Sequence, residues 1–307
     1  VKAALKTGVK ISLAVVLMVL VWRMVDGAEV AARLRGLRPG WVVVAVVLLL
    51  GQTVLSALRW RLTAAQLGHQ MSRRLALREY FLAQVVNLAL PGGVLGDAGR
   101  AVRAGAVAGV ERAGQAVVFE RLAGQAALMV VVLGAALGVS LAPGGIVLPR
   151  AVLVGLAIAA AVLLAAGILV ATVGARWARL AAWLMAAMQA VFAREVWQKQ
   201  VVLSIGTVAA NLLAFAACAA AVGVMLPLGG VLVILPLVLF TMLVPLTIGG
   251  WGLREGAAVV LFPLVGATGA EGFAASAAFG VVFLLTSLLG MALWLLPVQA
   301  KEKRQSG

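Results

Sequence analysis

Two stretches decide how this chain folds: Leu90-Pro91-Gly92-Gly93-Val94-Leu95-Gly96-Asp97-Ala98-Gly99-Arg100 and Val244-Pro245-Leu246-Thr247-Ile248-Gly249-Gly250-Trp251-Gly252-Leu253-Arg254-Glu255-Gly256. Each places a proline, several glycines, an acid and an arginine inside an apolar region. Proline and glycine break helices, and non-helical backbone at membrane depth must be buried in protein or line a cavity. Broken apolar segments at matching places in two halves of a chain point to a transport site.

The surroundings are those of a membrane protein. Of 307 residues, 64% are hydrophobic and only 11% charged, with a mean hydropathy of +1.14. A soluble domain carries roughly a quarter of its residues as charges. The net charge of +15 is concentrated between apolar runs, at 2–10, 59–78, 176–199 and 301–304. That is the pattern of cytoplasmic loops, and no basic soluble domain is present to hold a nucleic acid.

Working outward, six full spans are expected, at about 7–25, 41–58, 115–141, 151–173, 201–225 and 272–297. Gln52, Ser56 and Arg59 share one face of the second span, facing either a cavity or another helix. Arg59-Trp60-Arg61 reads as a headgroup-layer close to that span, with 62–78 lying along the cytoplasmic surface. A basic amphipathic segment is expected over 176–200. The broken stretches then form two re-entrant hairpins, 80–109 and 231–266, the second with two full crossings as the alternative, which also leaves the C-terminus inside. The fold class is therefore all-α: one polytopic membrane domain in two halves, 1–145 and 146–307. Each half crosses an odd number of times, so the second is inverted relative to the first. N- and C-termini both face the cytoplasm.

Charges inside the hydrocarbon are costly, ~2.5–3.5 kcal/mol each at the centre on insertion scales. Asp97, Arg100, Arg103, Glu120, Arg121, Arg254 and Glu255 all fall in or near it, with one positive charge in excess. Neighbours on a helix diverge, so Glu120 and Arg121 need partners elsewhere. Glu120 is expected to meet Arg100 or Arg254, and Arg121 to meet Asp97 or Glu255. The surplus arginine favours a bound anion, because guanidinium matches phosphate. Gly92, Gly93 and Gly96 precede one short helix, and Gly249, Gly250 and Gly252 precede the other. Such turns expose N–H groups at a positive helix end.

A lone His69, a lone Cys218 and no nucleophile–base pair give no catalytic site, no metal site and no cofactor motif in the sequence.

With these residues in view, the chain resembles the lysylphosphatidylglycerol synthase transmembrane-region family of flippase-like bacterial membrane proteins. The resemblance is carried by Leu58-Arg59-Trp60-Arg61, Asn87 through Pro91, Gly96-Asp97, Arg100, Glu120-Arg121, Pro245, Gly249-Gly250-Trp251-Gly252 and Arg254-Glu255-Gly256. It implies a lipid-translocating domain in a bacterial cytoplasmic membrane. Relatives are associated with aminoacylated phosphatidylglycerol, hopanoid, glycolipid or polyprenyl-phosphate pathways, so the headgroup stays open.

The expected function is translocation of an anionic, phosphate-bearing lipid. Arg100, Arg121 and Arg254 are its expected ligands, Arg103 guides it in, and Asp97, Glu120 and Glu255 hold the arginines. A scaffold for a lipid-modifying enzyme and a lipid-headgroup transferase are the alternatives. The partners are membrane lipids, with a lipid-modifying enzyme and a second copy of the chain left open.

Overall fold

A computed structural model describes residues 15–90, 93–141, 178–243 and 247–292, with residues 12, 150 and 157 singly. The crests of both broken stretches (Pro91, Gly92, Val244, Pro245, Leu246), the expected span 151–173 but for one residue, and the basic tail 301–304 lie outside the described residues. So does most of 1–14.

The protein is all-α, with no strand among the described residues. Helix α1 covers 15–23, and α2, Gly27–Arg35, follows a turn in which the Asp26 carboxylate accepts from the N–H groups of Ala28 (2.9 Å) and Glu29 (3.2 Å). Pro39 opens α3, Pro39–Gln66, as a first-turn proline can. Ser72 caps α4, Arg73–Ala89, by accepting from the Leu75 N–H. After the glycine turn come α5, Leu95–Ala108, and α6, Val110–Leu141, separated by Gly109. The second part of the chain has α7, Ala178–Phe192, and α8, Trp197–Ala221. A π-helical turn, Gly230–Ile234, leads into α9, Leu235–Phe240, and a 3-10 turn, Thr241–Leu243. After the second glycine turn come α10, Leu253–Leu261, a 3-10 turn, Phe262–Val265, and α11, Gly269–Met291.

Four of these helices, α3, α6, α8 and α11, are long and apolar enough to cross a membrane. Their outward faces carry exposed Val47, Val130, Val202, Ile205, Leu285 and Leu289. That surface suits lipid and would be penalised in water. The short pieces differ. Helix α5 has 14 residues, about 21 Å at ~1.5 Å each, against a hydrocarbon core of ~30 Å.

Helix α3 packs most extensively on α8, and the core gathers around α8 and α11, where Phe215 stacks on Phe279 at 4.7 Å. A smaller apolar cluster, including Ala57, Trp60, Ala64, Tyr80, Ala101 and Val117, joins α3, α4, α5 and α6. Charge ties the ends: Arg33 of α2 bridges to Glu271 at 2.7 Å, in the first turn of α11.

Three expected boundaries are corrected. Residues 62–66 continue α3 rather than forming a separate connecting segment, and 73–78 open α4, which has 17 residues and not the eleven expected from Tyr80. Apolar Trp60, Ala64, Met71 and Ala76 supply the burial that keeps these basic segments helical and packed. The segment 176–200 is not one amphipathic helix: α7 stops at Phe192, and residues 197–200 already belong to α8. Gln200 is buried there, its side-chain amide donating to Thr63 at 3.0 Å.

Candidate functional site

The site begins with Glu120, nearly three turns into α6 and fully buried. Its Oε1 accepts from Arg59 Nη2 at 2.7 Å and from the Tyr80 hydroxyl at 3.2 Å. Its Oε2 accepts from Arg100 Nη2 at 2.9 Å. Arg100 Nε turns to Asp97 Oδ1, also at 2.9 Å, and the guanidinium lies between the rings of Trp60 and Tyr80, 4.6 Å from each. Asp97 Oδ2 in turn meets Arg121 Nη2 at 2.8 Å and accepts from Asn87 Nδ2 at 3.2 Å. Charges alternate along Arg59, Glu120, Arg100, Asp97 and Arg121. Three guanidinium groups face two carboxylates, so one positive charge remains. Desolvation on this scale is tolerable only because each charge has partners of the opposite sign and hydrogen bonds besides.

The expected pairs Glu120–Arg100 and Arg121–Asp97 are both formed. Arg59 was missed as a member. It sits 3% exposed inside the helix bundle, and α3 runs on past it to Gln66. Its Nη1 also donates to Ser204 of α8 at 3.3 Å. Gln52 and Ser56, two turns and one turn earlier, were the signal that this face of α3 points inward. Glu79 was missed too: its carboxylate takes Arg103 Nε at 2.6 Å.

The cluster forms part of the wall of a cavity of about 830 Å³. Both glycine turns border it, through Gly93 on one side and Thr247, Gly249 and Gly250 on the other. Gly249 packs on the backbone of Leu88, near the end of α4, so the second turn reaches the helix that leads into the first. Gln52, Gln84, Asn87 and Gln125 add carboxamides to the lining, and Phe240, Met242 and Phe283 add apolar surface. Gln84 is a cross-brace, accepting from the Thr53 hydroxyl at 3.1 Å and donating to Ser287 at 2.9 Å. Val94 and Leu122 line the cavity and are 60% and 52% exposed, so its mouth is bounded by apolar side chains.

Several expected ligands lie elsewhere. Arg121 is on the wall, with its side chain 41% exposed, and its Nε has no partner. Arg100 is sealed behind it between two rings. Arg103 is engaged by Glu79 outside the lining. Arg254 and Glu255 are wholly buried and form their own cluster: Arg254 pairs with Glu255, and Ser276 bridges them, accepting from Arg254 Nε (2.9 Å) and donating to Glu255 Oε1 (3.0 Å). Trp251 and Phe279 cover the guanidinium at 5.0 and 5.5 Å. The reading of Arg254 as a cavity ligand is thus corrected. Its charge is satisfied within the second half, away from Glu120.

The glycines divide in the same way. Gly93, Gly249 and Gly250 are on the wall, and Gly92 is outside the described residues. Gly96 is a packing residue, since a Cβ there would lie 1.9 Å from the carbonyl oxygen of Ala83. Its N–H is taken by Asn87 Oδ1 at 2.8 Å. Gly252, at φ +84°, starts α10, and its N–H is taken by Glu255 Oε2 at 2.7 Å. Neither N–H is bare. Among the described residues no group of three or more His, Cys, Asp or Glu could hold a metal.

Fold and site together define a multi-pass, all-helical membrane protein with a charged cavity among its helices. The chain belongs to the family described as the lysylphosphatidylglycerol synthase transmembrane region, whose model matches residues 8–290. It is thereby a membrane protein of lipid metabolism or transport. No curated protein matches the chain.

Proposed function

We propose that this protein is a flippase that carries an anionic, phosphate-bearing lipid across a bacterial cytoplasmic membrane without altering it. The observation that carries the reading is the cavity: Arg121 and Asp97 on its wall, apolar Val94 and Leu122 at its mouth. A headgroup could enter between those apolar side chains while its acyl chains stay in lipid. Arg121 would then exchange part of its pairing with Asp97 for the lipid phosphate, in a site with low water content where such a pair is strong.

The two halves, 1–145 and 146–307, would be inverted repeats with re-entrant hairpins at 80–109 and 231–266 and both termini in the cytoplasm. The order long helix, two short helices about a glycine turn, long helix recurs in α3–α6 and α8–α11, which supports this. Rocking one half against the other would open the cavity to either face. Arg100, Glu120 and Arg59 would preserve the charge balance through that movement, and Arg254 with Glu255 would hold the second hairpin shut. Catalysis is not part of the proposal.

The test is lipid flipping in proteoliposomes, with a fluorophore-labelled phosphodiester lipid quenched from outside. The parent protein should equilibrate it between leaflets, and Arg121→Gln should slow this at least about tenfold, the loss expected of one charge-assisted contact. Equal rates in the two proteins would remove Arg121 from the mechanism. A parent protein that moves no lipid would contradict transport.

A further inference from the structure

The charges that line and back the cavity fix what can accompany a lipid as it crosses. Building on the transport reading, we propose that the anionic lipid moves without a proton or metal cation as co-ion, so that each crossing carries the lipid's own negative charge and the membrane potential drives it outward.

Coupling to a proton or cation needs a side chain that binds the ion in one state and releases it in the next. The chain has 10 acids and 1 histidine, and of these Asp97 alone lines the cavity. Its oxygens accept from Arg100, Arg121 and Asn87, at 2.9, 2.8 and 3.2 Å. A proton or metal cation seeking it comes close to two guanidinium groups, and like charges at that range repel. If a headgroup draws Arg121 away, Arg100 and Asn87 stay on the carboxylate. Glu120 is fully buried behind the wall and shared by Arg59, Arg100 and Tyr80. Glu79 and Glu255 are off the lining and pair with Arg103 and Arg254. Asp26, Glu29, Glu111, Glu195 and Glu271 stand at helix starts or in a connection, and His69 lies between α3 and α4, outside the lining. Glu302, in the tail, is the one acid outside the described residues, and no histidine falls there.

The counter-charge for the lipid is instead built into the protein. Arg59, Arg100 and Arg121 against Glu120 and Asp97 leave one positive charge, and arginine does not lose its proton in proteins. That charge offsets a bound anion and stays behind when the anion leaves. Over a full cycle the protein returns to its starting state, so its own charges cancel and the net charge moved is that of the lipid. A cell interior at negative potential then favours the outer leaflet. The potential contributes ~2.3 kcal/mol per elementary charge per 100 mV, which is about fiftyfold in the ratio between leaflets.

The experiment uses proteoliposomes holding the full chain and a trace of phosphatidylglycerol with an uncharged fluorophore on one acyl chain. Potassium and valinomycin set the potential, and an external quencher reads the outer-leaflet fraction. With the interior about 100 mV negative, the outer-to-inner ratio should settle about fiftyfold above its value at zero potential, and reversing the sign should invert the shift. This endpoint depends on the charge moved and not on which way the protein is inserted. A pH gradient or a sodium gradient at zero potential should leave the ratio unchanged. The flipping rate of the parent should also be the same in mildly acid and mildly alkaline buffer. Gln125→Glu adds to the lining a carboxylate at a position that no arginine pairs with, and should slow flipping about threefold or more as rising pH ionises it. A parent that slows in the same way would reveal a titrating carboxylate already in place and overturn the inference. A ratio that ignores the potential and follows the pH or sodium gradient would overturn it too, while leaving transport standing. A probe that equilibrates under no condition would take the transport reading down with it.

Discussion

Glu120→Gln is the substitution that probes the buried charge cluster most sharply. In the native protein Glu120 accepts from Arg59 at 2.7 Å, Arg100 at 2.9 Å and Tyr80 at 3.2 Å, with no exposure to solvent. Glutamine is nearly isosteric but neutral, and its NH2 can donate only. One of the two arginines then faces a donor, and the cluster's surplus rises from one positive charge to two. Breaking a buried ion pair by removing one partner costs ~3–5 kcal/mol. With two arginines affected, the upper end of that range applies. At roughly 2–4 °C per kcal/mol, less for a chain this large, the unfolding midpoint in detergent should fall by about 5–15 °C. Intrinsic fluorescence reports it directly, since the chain has 8 tryptophans and Trp60 covers Arg100 at 4.6 Å. The double substitution Arg59→Gln, Glu120→Gln restores the original charge balance and should recover part of the loss, a coupling of about 1 kcal/mol or more. A Glu120→Gln protein that melts within about 2 °C of the parent would refute the reasoning that this carboxylate holds three other helices to α6.

Other outcomes follow from the same contacts. Gly96→Ala should lower thermal stability by at least ~1–3 kcal/mol, because its methyl meets the backbone of Ala83 and not a side chain that can move aside. Glu255→Gln should destabilise the protein as a buried unpaired arginine does, while headgroup selectivity in the surviving folded fraction is unchanged, since Arg254 and Glu255 are off the cavity wall. Arg121→Gln should melt within a few degrees of the parent, because Asp97 keeps Arg100 and Asn87 as partners and is not left as an unpaired charge. Flipping assays on that stable protein then report function alone.

Much of the site can be read from the sequence because its signals are local and costly. Glycine-proline breaks inside apolar runs marked both turns, and the charges of α5 and α6 had few partners to choose from. Glu120 meeting Arg100, and Arg121 meeting Asp97, follow from that scarcity. Arg59 was missed as a member of the cluster because the basic residues after it drew attention to the end of the span. Only tertiary burial of Trp60 and Ala64 shows that α3 continues to Gln66. The Arg254–Glu255 pair defied the rule that helical neighbours diverge. Both lie in the first turn of α10, where a long arginine can bend alongside the next carboxylate and Ser276 of α11 bridges the two. Nothing in the linear sequence places Ser276 there. The glycine amides were over-read for a similar reason: Asn87 and Glu255 already occupy those of Gly96 and Gly252.

The central claim, that an anionic headgroup occupies the cavity beside Arg121, is tested most directly by a thiol placed in its wall. Cys218 is the chain's single cysteine and is buried, so Gln125→Cys introduces one reactive site in the lining. A small anionic thiol reagent should modify it in the folded protein, and short-chain phosphatidylglycerol should protect it in a saturable way that Arg121→Gln abolishes. Modification that proceeds at the same rate with and without the lipid would contradict the account.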